Sequence, residues 1–331
     1  MSFRILLVIT VLLAGVVSSA HAEDMQKLMG RMQFGEQIGA AELRAAIATG
    51  VDVNAEYRGG WTPLTLAAYA QRDPELLRIL ITAGANPSKP SSTGTTPLGW
   101  AIGQPEAPPG IVQVLLDAGA DPDAIAGPDY GNTALLHAVF HSRSDLLPPL
   151  IGAGADLEAR NKEGKTPLHL AVTIASASPE IARALVDAGA DIEARTGGDV
   201  LPGRTVLMKA ACYFEADPAV VRELLALGAD PMAETPGTFP RTALFESLLC
   251  SGSTPEIVLM LLEAELAGNS EFLNDTRETT RALVEAARSS RKPEIVRALL
   301  EAGGDPEPAM EAAAKNPAMQ GFDWSPYVDG G

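Results

Sequence analysis

A three-residue element, Gly-Ala-Asp, returns along this chain at a nearly constant interval, and no other feature constrains the fold as tightly. It stands at Gly119-Ala120-Asp121, Gly154-Ala155-Asp156, Gly189-Ala190-Asp191 and Gly228-Ala229-Asp230, with variants at Gly50-Val51-Asp52, Gly84-Ala85-Asn86 and Gly303-Gly304-Asp305. Successive glycines lie 34, 35, 35, 35 and 39 residues apart, and then 75 across two units. A period in this range means a stack of like supersecondary units, each burying its apolar side only against its neighbours. A second element keeps step: Thr62-Pro63-Leu64, Thr96-Pro97-Leu98, Thr133-Ala134-Leu135, Thr166-Pro167-Leu168, Thr205-Val206-Leu207 and Thr242-Ala243-Leu244, with a degenerate copy at Arg281-Ala282-Leu283.

On these residues the chain resembles the ankyrin repeat family. The family's T-P-L-H-x-A signature is complete at Thr166-Pro167-Leu168-His169-Leu170-Ala171 and nearly so at Thr62-Pro63-Leu64-Thr65-Leu66-Ala67. The likeness runs from roughly Gly39 to Pro306. It implies a β-turn and two antiparallel helices per unit: an all-α helix-turn-helix solenoid with short β-hairpin loops, about seven repeats and terminal caps. The residues support this independently. A threonine hydroxyl can cap the first helix, proline is tolerated in a first turn, and small Ala67, Ala68, Ala171, Ala210 and Ala211 let neighbouring helices approach.

The second helices carry their own start signal: Asp73-Pro74-Glu75, Ser178-Pro179-Glu180, Asp217-Pro218, Thr254-Pro255-Glu256 and Lys292-Pro293-Glu294. Most of these place a capping side chain, then proline, then an acid at the positive helix end. Ile181, Leu185 and Val186, like Ile295, Val296, Leu299 and Leu300, form apolar stripes that have to be buried against the next unit. The glycine that follows ends the helix in the left-handed region.

Four segments follow: a signal peptide over 1–22, N-terminal capping helices over 23–57, repeats over 58–306, and a partial cap and tail over 307–331. Arg4 precedes an uncharged, mostly apolar run from Ile5 to Val17, and Ala20-His21-Ala22 has the A-x-A cleavage pattern. The run is shorter than the roughly 20 residues a membrane span needs. Cleavage after Ala22 and a periplasmic or secreted location are therefore expected, and Asn274-Asp275-Thr276 is a glycosylation sequon only on a eukaryotic secretory route. The tail with Phe322, Trp324 and Tyr327 either folds back on the last helices or is loose.

Chemistry is hard to find. His21 leaves with the signal peptide, and His137, His141 and His169 are read as lacking metal-ligand spacing. In the resemblance His169 occupies the signature histidine position, which ties neighbouring turns together. No nucleophile elbow, zincin motif, phosphate loop or dinucleotide fingerprint occurs. Asp117, Asp121, Asp123 and Asp129 lack the order of a calcium loop. The expectation is no catalytic residue, no metal and no cofactor. With 25 basic and 42 acidic side chains the chain carries a formal −17, which disfavours nucleic acid and favours a protein partner with a basic contact face.

The resemblance implies that such a partner meets the hairpin tips and the exposed side of the first helices. Carried onto this chain, those positions are Trp61, Tyr69, Tyr130, Phe140, His141, Tyr213 and Phe239, with Arg204 and Arg241 among the charged ones. Aromatic side chains are over-represented among binding hot spots because they are large, partly polar and low in rotamer entropy. Trp100 falls at a core-facing place and is assigned to packing. The functional expectation is a non-catalytic interaction module that binds through its concave face, as an envelope adaptor or an inhibitor; an enzyme and a purely structural surface protein are the rival classes.

Cys212 and Cys250 fall at nearly equivalent places in adjacent units. Closing their loop would stabilise by about 3 to 4 kcal/mol. Stacked helix axes about 8 to 10 Å apart resist a bond that needs α-carbons within about 7 Å. Two free thiols are the expectation.

Overall fold

The computed structural model describes residues 25–70, 73–104, 107–126, 131–173, 178–197, 202–238, 240–268 and 276–328. The signal-peptide reading, the sequon, Asp129, Tyr130 and Phe239 lie outside those residues. The chain divides into two compact units, Met1–Lys162 and Glu163–Gly331.

In the first unit a helix over residues 25–33 (α1) precedes α2 (Ala40–Ala48), and three helix pairs follow: α3 (Pro63–Ala70) with α4 (Pro74–Thr82), α5 (Pro97–Ile102) with α6 (Pro109–Asp117), and α7 (Ala134–Phe140) with α8 (Leu147–Gly152). First helices stack on first helices, α3 on α5 and α5 on α7, while second helices stack in the order α2, α4, α6, α8. Because α2 packs on α4 as α4 packs on α6 and α6 on α8, residues 25–48 form a helix pair at the start of this unit's stack.

The second unit continues the scheme with α9 (Pro167–Ala171) and α10 (Pro179–Asp187), α11 (Val206–Cys212) and α12 (Pro218–Ala226), α13 (Ala243–Leu249) and α14 (Pro255–Gly268), and α15 (Thr276–Ser289) and α16 (Pro293–Glu301). A single helix, α17 (Pro306–Ala313), closes against α15. The tail folds back. Asn316 Nδ2 donates to the carbonyls of Ala287 (3.0 Å) and Ser290 (2.9 Å), Met319 is buried, and α18 (Ser325–Val328) contacts α17.

The local chemistry explains why these elements form. The hydroxyls of Thr96, Thr166 and Thr205 accept from the amide three residues on, at 3.2, 3.4 and 3.3 Å, and so cap α5, α9 and α11. Second helices are capped by Ser178, which accepts from the amide three residues on, and by Asp73 and Asp217, which accept from the amide two residues on, each followed by a proline. Lys292 is an exception: its side chain does not cap α16, and its Nζ donates instead to the Ser253 carbonyl at 2.7 Å. Each second helix with a Gly-Ala-Asp element after it ends on a glycine of positive φ, as at Gly119 (84°) and Gly228 (96°).

The aspartate of the element then makes a turn of its own. Asp121 Oδ1 accepts from the Asp123 amide, Asp156 from Glu158 and Asp191 from Glu193. The side chain two residues on reaches the following repeat: Asn54 Oδ1 accepts from Asn86 N–H at 2.8 Å, Asp123 Oδ1 from Asp156 at 2.9 Å, and Glu193 Oε1 from Asp230 at 2.7 Å. The recurring motif thus ends a helix, forms a turn and registers one repeat on the next. The apolar stripes fill the space between: Leu76, Leu77, Leu80, Leu115, Leu185, Leu224, Ile295 and Leu299 have no exposed surface or almost none.

The short β-hairpin loops close on isolated antiparallel bridges at Tyr57–Trp61, Ile125–Thr133 and Arg195–Thr205, with no longer strand among the described residues, and one expectation needs correction. Cys212 and Cys250 form a disulfide with α-carbons 5.3 Å apart, against the expectation of free thiols. The separation of helix axes does not govern this pair, because both cysteines stand at helix ends: Cys212 is the last residue of α11 and Cys250 the extended residue after α13.

Candidate functional site

The exposed side of the first helices differs between the two units. In the first it is aromatic. Trp61 is held at the hairpin end, where the Tyr57 amide donates to the Trp61 carbonyl at 2.7 Å. Gly60 makes this hairpin possible: its φ is 71°, and a Cβ there would lie 2.7 Å from the Ser92 backbone nitrogen. From α3, Tyr69 projects beside Trp61, with ring centroids 5.3 Å apart and edge to face. Trp100 on α5 completes the group, 4.5 Å from Trp61 and 5.5 Å from Tyr69, with its Nε1 donating to Ser91 Oγ at 3.4 Å. Trp100 is half-buried, so its assignment to the core is corrected: it belongs to the same surface cluster, and Tyr69 is 39% exposed.

The C-terminal end of α7 carries a second aromatic group. Phe140 is 42% exposed and meets the His141 ring edge to face at 5.1 Å. His137 lies one turn back, its ring 4.5 Å from that of His141. The four-residue interval does allow two imidazoles to face one ligand, which corrects the reading that no histidine pair has such spacing. No third ligand joins them among the described residues. Burial, with His141 adding to it, pushes the His137 imidazole down to about 4, so it is neutral at physiological pH.

In the second unit the first helices carry charged side chains of both signs. Glu246 on α13 is 3% exposed and is ion-paired with Arg204, whose side chain is itself largely buried. Arg241 approaches the same carboxylate at 3.5 Å from a more exposed position. Arg204, expected at a partner contact, is therefore committed to holding a buried charge. Tyr213 is half-buried in an extended residue capping α11, and Phe214 beside it is 76% exposed. Burial first, and then the like charges of Lys165 and Arg204, hold the Lys209 ammonium below its ordinary range.

A cleft of about 670 Å³ lies beyond, lined by Phe245, Leu249, Arg241, Arg281, Val284 and Arg288. Phe245, Arg281 and Arg288 were not among the expected site residues. One signal was present: Phe245 stands three residues after Thr242, where the complete signature has His169. His169 itself is buried, its Nδ1 2.8 Å from Thr166 Oγ1 in the same turn.

The described residues hold one group of three metal-capable side chains, Cys212, Glu246 and Cys250, whose two sulfurs are bonded to each other. No helix among the described residues is long and apolar enough to cross a membrane.

Comparison with known proteins fits this architecture. The family model for ankyrin repeats (three copies) matches residues 36–126, 107–196, 135–235 and 207–309. The human ankyrin repeat and KH domain-containing protein 1 is 39% identical over 106 residues, which are 32% of this chain and 4% of that protein. The Arabidopsis thaliana E3 ubiquitin-protein ligase KEG is 31% identical over 138 residues, 40% of this chain and 8% of the ligase. The chain thus spans only a small part of the length of these relatives. Among solved structures, the ankyrin repeat domain of Bcl-3 matches with a TM-score of 0.55 and 24% identity, over 73% of this chain and 96% of that one. The human ASB11 ankyrin repeat domain gives a TM-score of 0.51 and 21% identity, over 75% and 96%. Both share the fold. Ankyrin repeats are protein–protein interaction modules, and with matches running from residue 36 to residue 309 this chain belongs to the ankyrin repeat family.

Proposed function

We propose that this protein is an exported, non-catalytic binding module that holds another protein against the exposed side of its first helices, as an envelope adaptor or an inhibitor. The observation that carries this reading is the Trp61, Tyr69 and Trp100 cluster, three large aromatic side chains gathered at the surface of a stack whose other large residues are mostly buried. Such side chains contribute binding energy at low entropic cost. Phe140 and His141 at the end of α7 are further contact residues in the first unit, Tyr213 and Arg241 are contact residues in the second, and Tyr130 and Phe239 are included on the repeat pattern alone; Arg204 acts behind them, holding Glu246.

Export is supported by the charged start, apolar run and A-x-A pattern over residues 1–22, and by the Cys212–Cys250 disulfide, which persists in an oxidising compartment. A net charge of −17 favours a basic partner at long range.

Site-specific photocrosslinking tests the reading. A photoreactive residue at Tyr69 or Phe140 should trap one discrete partner in cells that make the protein, while the same probe at Arg78 on α4 should not. Equal labelling from all three positions would contradict it.

A further inference from the structure

The cleft between α13 and α15 has a chemistry at odds with the rest of the chain. Its floor is apolar, from Phe245, Leu249 and Val284, and its rim carries Arg241, Arg281 and Arg288, three guanidinium groups in a protein of net charge −17. Arg281, Val284 and Arg288 share one side of α15 through their spacing of three and four residues. Arg281 stands 4.6 Å over the Phe245 ring, so the aromatic face both forms the floor and supports the charge.

Two acids also line the cleft, Glu234 and Glu285. Arg288 meets Glu285, and Arg241 meets Glu246, only at 3.5 Å, with each arginine side chain exposed. The Arg288–Glu285 contact is long and largely solvated, a kind of ion pair that contributes little and is readily exchanged for a better acceptor, while Arg241 is the distant second partner of a buried carboxylate that Arg204 already pairs. Glu246 does not compete for an incoming ligand, because Arg204 already meets its charge inside the protein.

We propose that this cleft binds an acidic peptide segment of the partner protein, seating one bulky apolar side chain on Phe245, Leu249 and Val284 and flanking carboxylates on Arg241, Arg281 and Arg288. The planar guanidinium fork matches a carboxylate in two places at once, which an ammonium group does not. The proposal rests on the reading of the first-helix side as the binding surface, and it gives the second unit a local preference opposite to that of the net charge.

The test is a selection of random twelve-residue displayed peptides on the intact protein, followed by fluorescence anisotropy with a labelled copy of the peptide most enriched. Enriched sequences should carry Asp or Glu around Leu, Phe or Trp. Affinity should fall at least tenfold in Arg281→Ser/Arg288→Ser, in Phe245→Ala, and when the peptide's acids are replaced by amides. Arg288→Lys, which keeps the charge and loses the fork, should weaken binding less than Arg288→Ser. No enrichment, a basic consensus, or affinity unchanged in the arginine variants would overturn the proposal. If the selection fails while crosslinking at Tyr69 and Phe140 succeeds, the cleft assignment alone is wrong; if both fail, the underlying reading is.

Discussion

Cys212 and Cys250 are joined across two successive repeats, with α-carbons 5.3 Å apart at the C-terminal ends of α11 and α13. The bond closes a loop of 38 residues, which on chain-entropy grounds stabilises by about 3 to 4 kcal/mol. Thiol counting on unreduced, unfolded monomer should therefore find no free thiol, and reduction should lower the denaturant midpoint. Two titratable thiols in exported protein would contradict the bond.

Leu185 and Leu299 have no exposed surface and sit between second helices of adjacent repeats. Replacing either with alanine should cost on the order of 2 to 5 kcal/mol, the transfer loss plus the cavity. Urea midpoints unmoved by both changes would be incompatible with a core between stacked repeats.

Arg204 and Arg241 both approach Glu246, but Arg204 is largely buried with it while Arg241 is exposed. Removing the buried partner strands a charge, so Arg204→Ala should cost about 3 to 5 kcal/mol and Arg241→Ala less than about 1 kcal/mol. Equal losses in the two variants would show that Arg204 is not the partner that matters.

The His137 imidazole is pushed down from 6.5 to about 4, chiefly by burial. Between those values the unfolded chain binds more protons than the native state, so stability is full above about pH 6.5 and declines as pH falls toward 4. Allowing for solvent at this half-buried position, the loss is on the order of 1 to 2 kcal/mol. Urea midpoints measured from pH 7 to 4 should fall less steeply in His137→Asn than in the parent; parallel profiles would exclude His137 as the cause.

How much of this was legible in the sequence depends on what each residue does. Gly228 and Thr205 could be read directly because a left-handed backbone and a helix cap are local needs that few residue types meet, whereas the turn Asp230 makes emerged only from the structure. Trp100 and Arg204 were misplaced because their roles are set by side chains on other repeats, Trp61 and Tyr69 in one case and Glu246 in the other. Arg281 was visible only as a broken signature. The structure shows why: α15 begins at Thr276, so Arg281 lies inside the helix on its exposed side and has no cap to make. The disulfide was not legible because the spacing of helix axes does not fix the distance between residues at helix ends, where Cys212 and Cys250 stand.

In the proposed function the first-helix side is the place where a partner is held. The direct measurement is the affinity of the partner trapped from Tyr69, determined for the parent protein, for Tyr69→Ala/Phe140→Ala and for Arg78→Ala, with the thermal midpoint of each recorded alongside. Both aromatic residues are substantially exposed, so the double variant should melt within a few degrees of the parent while binding at least about tenfold more weakly, a loss of roughly 1.4 kcal/mol or more, and Arg78→Ala should bind normally. An affinity unchanged in the double variant, or lost instead in Arg78→Ala, would contradict the account.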